Sequence, residues 1–222
     1  MIRALAVAFA FTQAAAAGPV EQVDPESLAL AGRMDFETLP VLPEPGQAHG
    51  APLTAPGLAI GEAFAGQTVT GAPHDRLADA PRAPLTLAPF DAGQGLATAY
   101  HAGFGSNALF PLGPAGFPAI EARGEGAVAL LFEADARALA LKIHADYHDP
   151  LGARPPPGTA TLRFYSRAGD LIDRHEIALS QGVAGLGFVS AGPGFAGVTI
   201  TNDDPGGIAI DDIRYPLPDL SG

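Results

Sequence analysis

The chain has 222 residues, 24 acidic against 12 basic, a formal net charge of −12, and no cysteine. Such a charge opposes phosphate backbones and anionic lipid headgroups, so it argues against nucleic acid and membrane surfaces as partners. Without thiols there is neither a disulfide framework nor thiolate chemistry. Twenty-eight Gly and 22 Pro point away from helices, whose interiors both residues weaken, while 47% apolar residues suffice for a core. The balance favours a turn-rich, all-β fold.

In chain order, residues 1–17 read as a signal peptide. Arg3 precedes an apolar run over 4–11, and small residues follow, ending in Ala15-x-Ala17. The run is too short to span a bilayer. The expected product is secreted or periplasmic, begins near Gly18, and has no membrane insertion. Residues 18–32 are polar and acidic and read as a flexible lead-in. Residues 33–216 are expected to form a single β-sandwich domain, and 217–222 a short tail.

Residues 33–39 alternate enough to open a strand, whereas 42–56 are rich in Pro and Gly and read as loop. Further strands are expected over 58–64, 67–70, 85–87, 96–100, 119–122, 127–133, 138–145, 159–166, 171–178, 186–189, 197–201 and 207–215. A turn at Asp135-Ala136 separates two of these, and Arg167-Ala168-Gly169-Asp170 closes a hairpin between two alternating runs. Residues 101–118 read as one long Pro/Gly loop, a kind of segment that often carries function. Many short strands with turns between them predict a jelly-roll β-sandwich of two antiparallel sheets.

Two groups of residues carry a family resemblance. Asp35-Phe36-Glu37-Thr38-Leu39-Pro40 stands near the start. Near the end, Phe195-Ala196-Gly197-Val198-Thr199-Ile200 is followed by Ile208-Ala209-Ile210-Asp211-Asp212-Ile213. In this order they resemble exported bacterial β-sandwich proteins, many of which bear a C-terminal PEP-type sorting signal. More widely they resemble jelly rolls of the galactose-binding-like and carbohydrate-binding-module type. This chain ends without the sorting helix.

The resemblance implies that the first and last strands lie close together and share a structural Ca²⁺. Glu37, Asp211 and Asp212 would be its side-chain ligands. Calcium takes six to eight oxygens, and hard carboxylates supply the charge. Two adjacent aspartates in an apolar strand point to opposite faces, so one heads inward and needs a cation or an arginine. A solvated strand end, or pairing with Arg33 or Arg214, would satisfy the pair equally.

The resemblance also implies carbohydrate binding, with extracellular polysaccharide as partner. Tyr100, Phe104, Phe110, Phe117 and Tyr147 lie in or beside expected loops, where rings stack on sugars; the same residues would equally plug the end of the sandwich. His144, Asp146 and His148 would share one face of an extended strand, as zinc ligands do, although Pro150 and Gly152 mark a loop there. No G-x-S-x-G nucleophile motif occurs. Paired carboxylates are a matter of space rather than sequence, and Glu62, Glu121, Glu125 and Glu133 are available for them. The reading is an exported, non-catalytic sugar-binding module. A structural matrix protein is the alternative, and a jelly-roll hydrolase or lyase a third.

Overall fold

The computed structural model describes residues 19–145 and 155–217. The expected signal peptide, Asp146, Tyr147 and His148 lie outside the described residues.

The chain is all-β. Strands are numbered in chain order. The larger sheet runs in the order β1 (Val20–Val23), β14 (Gly182–Ser190), β11 (Ala138–Ala145), β16 (Ala209–Tyr215), β9 (Ser106–Pro111), β8 (Leu96–His101), β3 (Gln47–His49). β2 (Gly32–Met34) pairs with β16 beside β9. The second sheet runs β13 (Leu171–Ala178), β12 (Thr159–Tyr165), β15 (Phe195–Asn202), β10 (Val128–Ala136), β5 (Leu58–Gly61), β4 (Leu53–Ala55). A separate hairpin joins β6 (Thr68–Thr70) and β7 (Arg76–Ala78). These pairings are antiparallel throughout.

Side-chain alternation builds the core. On β12, Ala160, Leu162 and Phe164 are buried, while Thr161 and Arg163 face the other way and stay half-buried. Phe164 meets Phe188 of the opposing sheet at 5.2 Å between ring centroids, and Phe132 meets Tyr215 at 5.8 Å. Each buried aromatic contributes about 2–3 kcal/mol. The chain leaves one sheet at the end of β10 and enters the other at β11, so the expected turn at Asp135-Ala136 is a crossover between sheets rather than a hairpin. The 167–170 hairpin forms as expected: Ser166 N–H donates to Asp170 O at 2.9 Å, and Gly169 takes φ +85°.

Several expectations are corrected. The 18–32 segment is no flexible lead-in, because Val20–Val23 pairs with β14 and Val20 sits in the core. The strand expected over 33–39 stops at Met34. Phe36 then adopts φ +60° and Leu39 N–H closes a turn onto its carbonyl. The 42–56 "loop" contains β3 and β4. Residues 119–122 are a 3-10 turn rather than a strand, and 85–87 contributes only the bridge Phe64–Leu87.

The largest correction concerns 101–118. Its middle, Ser106–Pro111, is a strand paired with β8 and β16 and buried over most of its length. Buried on both faces, it shows no polar alternation, and flanking Gly and Pro disguised it as loop.

A second, smaller apolar cluster lies on the outer face of the second sheet. Phe64 and Leu85, from the segment that folds over this face, pack on Ala129, Tyr165 and Ala196. Gly197 leaves room for them: a Cβ there would stand 2.4 Å from Phe64 and 2.8 Å from Leu85. The cover ends at Tyr165, and the outward side chains of β13 and of the rest of β12 stay accessible.

Candidate functional site

The outward side chains of β13, β12 and β15 form a grid set by strand register. In one row Arg174, Arg163 and Thr199 stand side by side; in the next are Glu176, Thr161 and Thr201. The tip between β6 and β7, with Ala72, Pro73, His74 and Asp75, rises along one side. Together they enclose a cleft of about 610 Å³ lined by Thr159, Thr161 and Thr201 and by Arg76, Arg163, Arg174 and Glu176. Hydroxyls and fixed charges dominate this lining.

The tip is anchored from below. His74 Nε2 contacts the carbonyl of Asp204 at 2.7 Å, and Asp75 accepts from Ala127 N–H at 3.2 Å while its own N–H donates to Glu125 O at 2.9 Å. Glu176 pairs with Arg174. Among the described residues the Arg163 side chain forms no hydrogen bond or ion pair, and its Nη1 is buried without a partner, as is Thr199 Oγ1 beside it in the row.

On the other side of the tip lies a second cleft, of about 390 Å³, lined by Glu62, Asp75, Phe90, Asp91, Gln94 and Leu112 among others. Burial, reinforced by the charge of Asp75, pushes the Glu62 carboxyl up to about 7. Burial likewise pushes Asp75 up to about 6, against the pull of the Ala127 N–H. Burial also raises Glu125. Glu62 and Glu125 were among the acids available in sequence; Asp75 was not, because only the hairpin brings it beside Glu62.

Among the described residues, the four aromatics expected to bind sugar are spread over separate places rather than one platform. Phe110 is fully buried, so its reading as a ligand residue is corrected: it is a core residue of β9. Phe104 packs against Phe110's cluster and lies 5.6 Å from the His101 ring. Phe117 packs elsewhere, on Ala97, Leu112 and Ala122. Tyr100 is exposed on β8.

His144 is the one described residue of the expected His144, Asp146 and His148 face. Its Nδ1 meets His101 Nε2 at 2.8 Å, and His101 Nδ1 meets Glu44 Oε1 at 2.8 Å. Burial pushes His101 down to about 4, so the relay is neutral at the histidine. Arg123 pairs with the other Glu44 oxygen.

Of the three expected calcium ligands, Asp212 is withdrawn. Its carboxylate lies 2.7 Å from Arg33 Nε, 2.9 Å from Lys142 Nζ and 3.7 Å from Arg214 Nε. Burial works against its ionisation, but the hydrogen bond from Lys142 and the three cations outweigh it and hold the carboxyl below its usual range. The strand does not present the two aspartates on opposite faces either. A bulge between β11 and β16 puts Asp212 at φ +51°, a conformation Asp tolerates.

Glu37 and Asp211 each bond to one of two adjacent residues at the start of β9. Glu37 Oε1 accepts from Asn107 N–H at 2.8 Å, and Asp211 Oδ2 accepts from Ser106 Oγ at 2.8 Å. Burial, with Asp212 and Asp35 nearby, raises the Asp211 carboxyl. Among the described residues no group of three or more His, Cys, Asp or Glu side chains converges as a metal cluster.

Fold and groove together define an all-β, two-sheet protein with an open polar cleft on one face. No family model matches the chain, and no curated protein matches it. Among solved structures it is similar to a mutant of a family 29 carbohydrate-binding module, at 16% identity and a TM-score of 0.34, over 55% of this chain and 77% of that one. Another mutant of that module, complexed with mannohexaose, aligns at 13% identity and a TM-score of 0.34 over 77% and 94%. The enzymatically active domain of tailspike protein 4 of bacteriophage CBA120 aligns at 13% and 0.32, over 73% of this chain but 19% of that one.

Proposed function

We propose that the chain is an exported, non-catalytic β-sandwich module that binds extracellular carbohydrate in the cleft over β12, β13 and β15. The cleft itself carries this reading: about 610 Å³, lined by three threonines and by charged donors and acceptors. Saccharides present a dense set of hydroxyls, and a wet, polar groove matches them without the aromatic stacking first expected. Export rests on the 1–17 pattern and on the likeness of the chain ends to exported bacterial sandwich proteins. A glycan array probed with the mature protein tests the reading. Binding that is lost in Thr161→Val supports it, and silence across neutral and acidic glycans overturns it. Cell fractionation with N-terminal sequencing tests export, the expected mature start being near Gly18.

The acid-lined cleft favours a second reading, a glycan hydrolase or lyase. Glu62, protonated near neutrality, is suited to general acid work beside a second carboxyl. Release of reducing ends from a polysaccharide panel, abolished in Glu62→Gln, would establish it in place of the first.

A structural calcium belongs to the same proposal, narrowed to Glu37 and Asp211. Their shared Ser106–Asn107 corner supports it, and the ion would serve only to hold the first and last strands together.

A further inference from the structure

Arg163 is the unexplained residue of the groove. Burying part of a guanidinium without a partner costs free energy, so such groups are ordinarily matched by a carboxylate or a carbonyl. Among the described residues Arg163 has neither, and its Nη1 is buried. Directly across the strand pair stands Arg174, in register. Like charges opposite one another in a sheet destabilise it unless something negative lies between. Glu176 is engaged by Arg174, and Asp203 on the rim accepts the Thr159 N–H at 2.5 Å. Asp75, the third acid lining the cleft, accepts the Ala127 N–H, so the acids here are already used by the protein. Three of the chain's arginines, Arg76, Arg163 and Arg174, line this one cleft on a molecule of net charge −12.

A planar, forked guanidinium suits a planar carboxylate, which it grips through two parallel N–H donors. We propose that the groove selects acidic saccharides, with a uronate carboxylate seated on Arg163 and flanked by Arg174, while Thr159, Thr161 and Thr201 hold neighbouring sugar hydroxyls. This rests on the carbohydrate reading above and goes further by naming the ligand class. The net charge then acts as a filter. A polyanion is repelled by most of the surface and finds compensation only here, which adds specificity more than affinity.

The experiment is titration calorimetry of the mature protein with oligogalacturonate, with the same oligomer after reduction of its carboxyls to alcohols, and with a sulfated oligosaccharide. Binding is expected for the uronate alone, weakening as salt rises. Arg163→Gln is expected to weaken it about 10- to 100-fold, the loss of a charge-assisted pair. Arg163→Lys should not restore it, since a point charge lacks the fork. Arg174→Gln serves as a second variant, on an exposed side chain, and is expected to weaken uronate binding as well, and circular dichroism checks that each variant keeps its strands.

Equal binding of the reduced oligomer, or unchanged affinity in Arg163→Gln, overturns the acidic specificity while leaving carbohydrate binding in place. Binding of the sulfated ligand alone overturns the assignment to a carboxylate. No binding to any saccharide overturns both.

Discussion

Asp212 lies 2.9 Å from Lys142, the only lysine in the chain, across the bulge that joins β16 to β11. Arg33 from β2 and Arg214 from β16 complete a ring of three cations around one buried carboxylate. The first strands and the last are thereby held by charges that the chain supplies itself.

Asp212→Asn keeps the shape and the tolerance of positive φ but leaves three cations facing one another. Breaking a buried pair from one side costs more than the pair contributes, discounted here because Arg33 and Lys142 reach solvent. A loss of about 2–3 kcal/mol is expected, seen as a melting temperature roughly 5–10 °C lower. Lys142→Met, with two cations remaining on Asp212, should cost about 1 kcal/mol. Equal and negligible effects in thermal denaturation would contradict this account.

Glu62 and Asp75 should each add stability as pH falls from 8 to about 5. Glu62 and Asp75 have folded pKa values above their ordinary ones, so their ionisation opposes folding. The stability they add is present at low pH and lost as pH rises through about 7 and about 6. His101 acts in reverse: its folded value is depressed to about 4, and its contribution is lost as acid protonates the unfolded chain below its ordinary value. His49, which burial also depresses, adds to the opposing side, so the net slope is a balance and the Glu62 part is read from a variant. Glu62→Gln should raise the melting temperature at pH 8 relative to wild type, and the difference should shrink toward pH 5. A difference between variant and wild type that stays constant from pH 8 to 5 would refute the assignment.

Gly197→Ala should destabilise by roughly 1–3 kcal/mol, since the new methyl meets Phe64, Leu85 and the Leu130 carbonyl and one of them must give. The damage should concentrate on the cover over the second sheet. Hydrogen exchange should therefore quicken at Ala65 and Ala88, whose N–H groups bond within that cover to Thr86 and Ala63, before it does in β11 or β16. Uniform exchange across the molecule would contradict this.

If calcium binds at Glu37 and Asp211, the melting temperature should rise with added Ca²⁺ by the mass-action amount, about 2.7 kcal/mol at a hundredfold excess over Kd. Glu37→Gln and Asp211→Asn should each abolish the rise. Asp212→Asn should lower the baseline yet keep the increment, because that carboxylate answers to Lys142 and the arginines. A melting point indifferent to both chelator and calcium would remove the site.

The all-β class, the 167–170 hairpin and the strands over 138–145 and 171–178 were legible in sequence because their cause is local. Alternation, turn residues and Gly/Pro content act over a few positions, and strand pairing merely uses them. That the segment opening at Arg33 lies beside the last strand was legible too, through the resemblance of the chain ends. What lies at that meeting was decided by tertiary structure. A one-residue bulge turned Asp212 toward Lys142, and no local signal marks a bulge whose extra residue is an aspartate. β9 escaped notice because a strand buried on both faces carries no alternation. The groove could not be read at all: Arg163, Arg174 and Thr199 become neighbours only through the register of three strands, and Asp75 joins Glu62 only when the hairpin folds over. Sequence determines which face each side chain takes along its own strand; the partners it finds across strands depend on long-range pairing, whose register is fixed by the packing of the whole core.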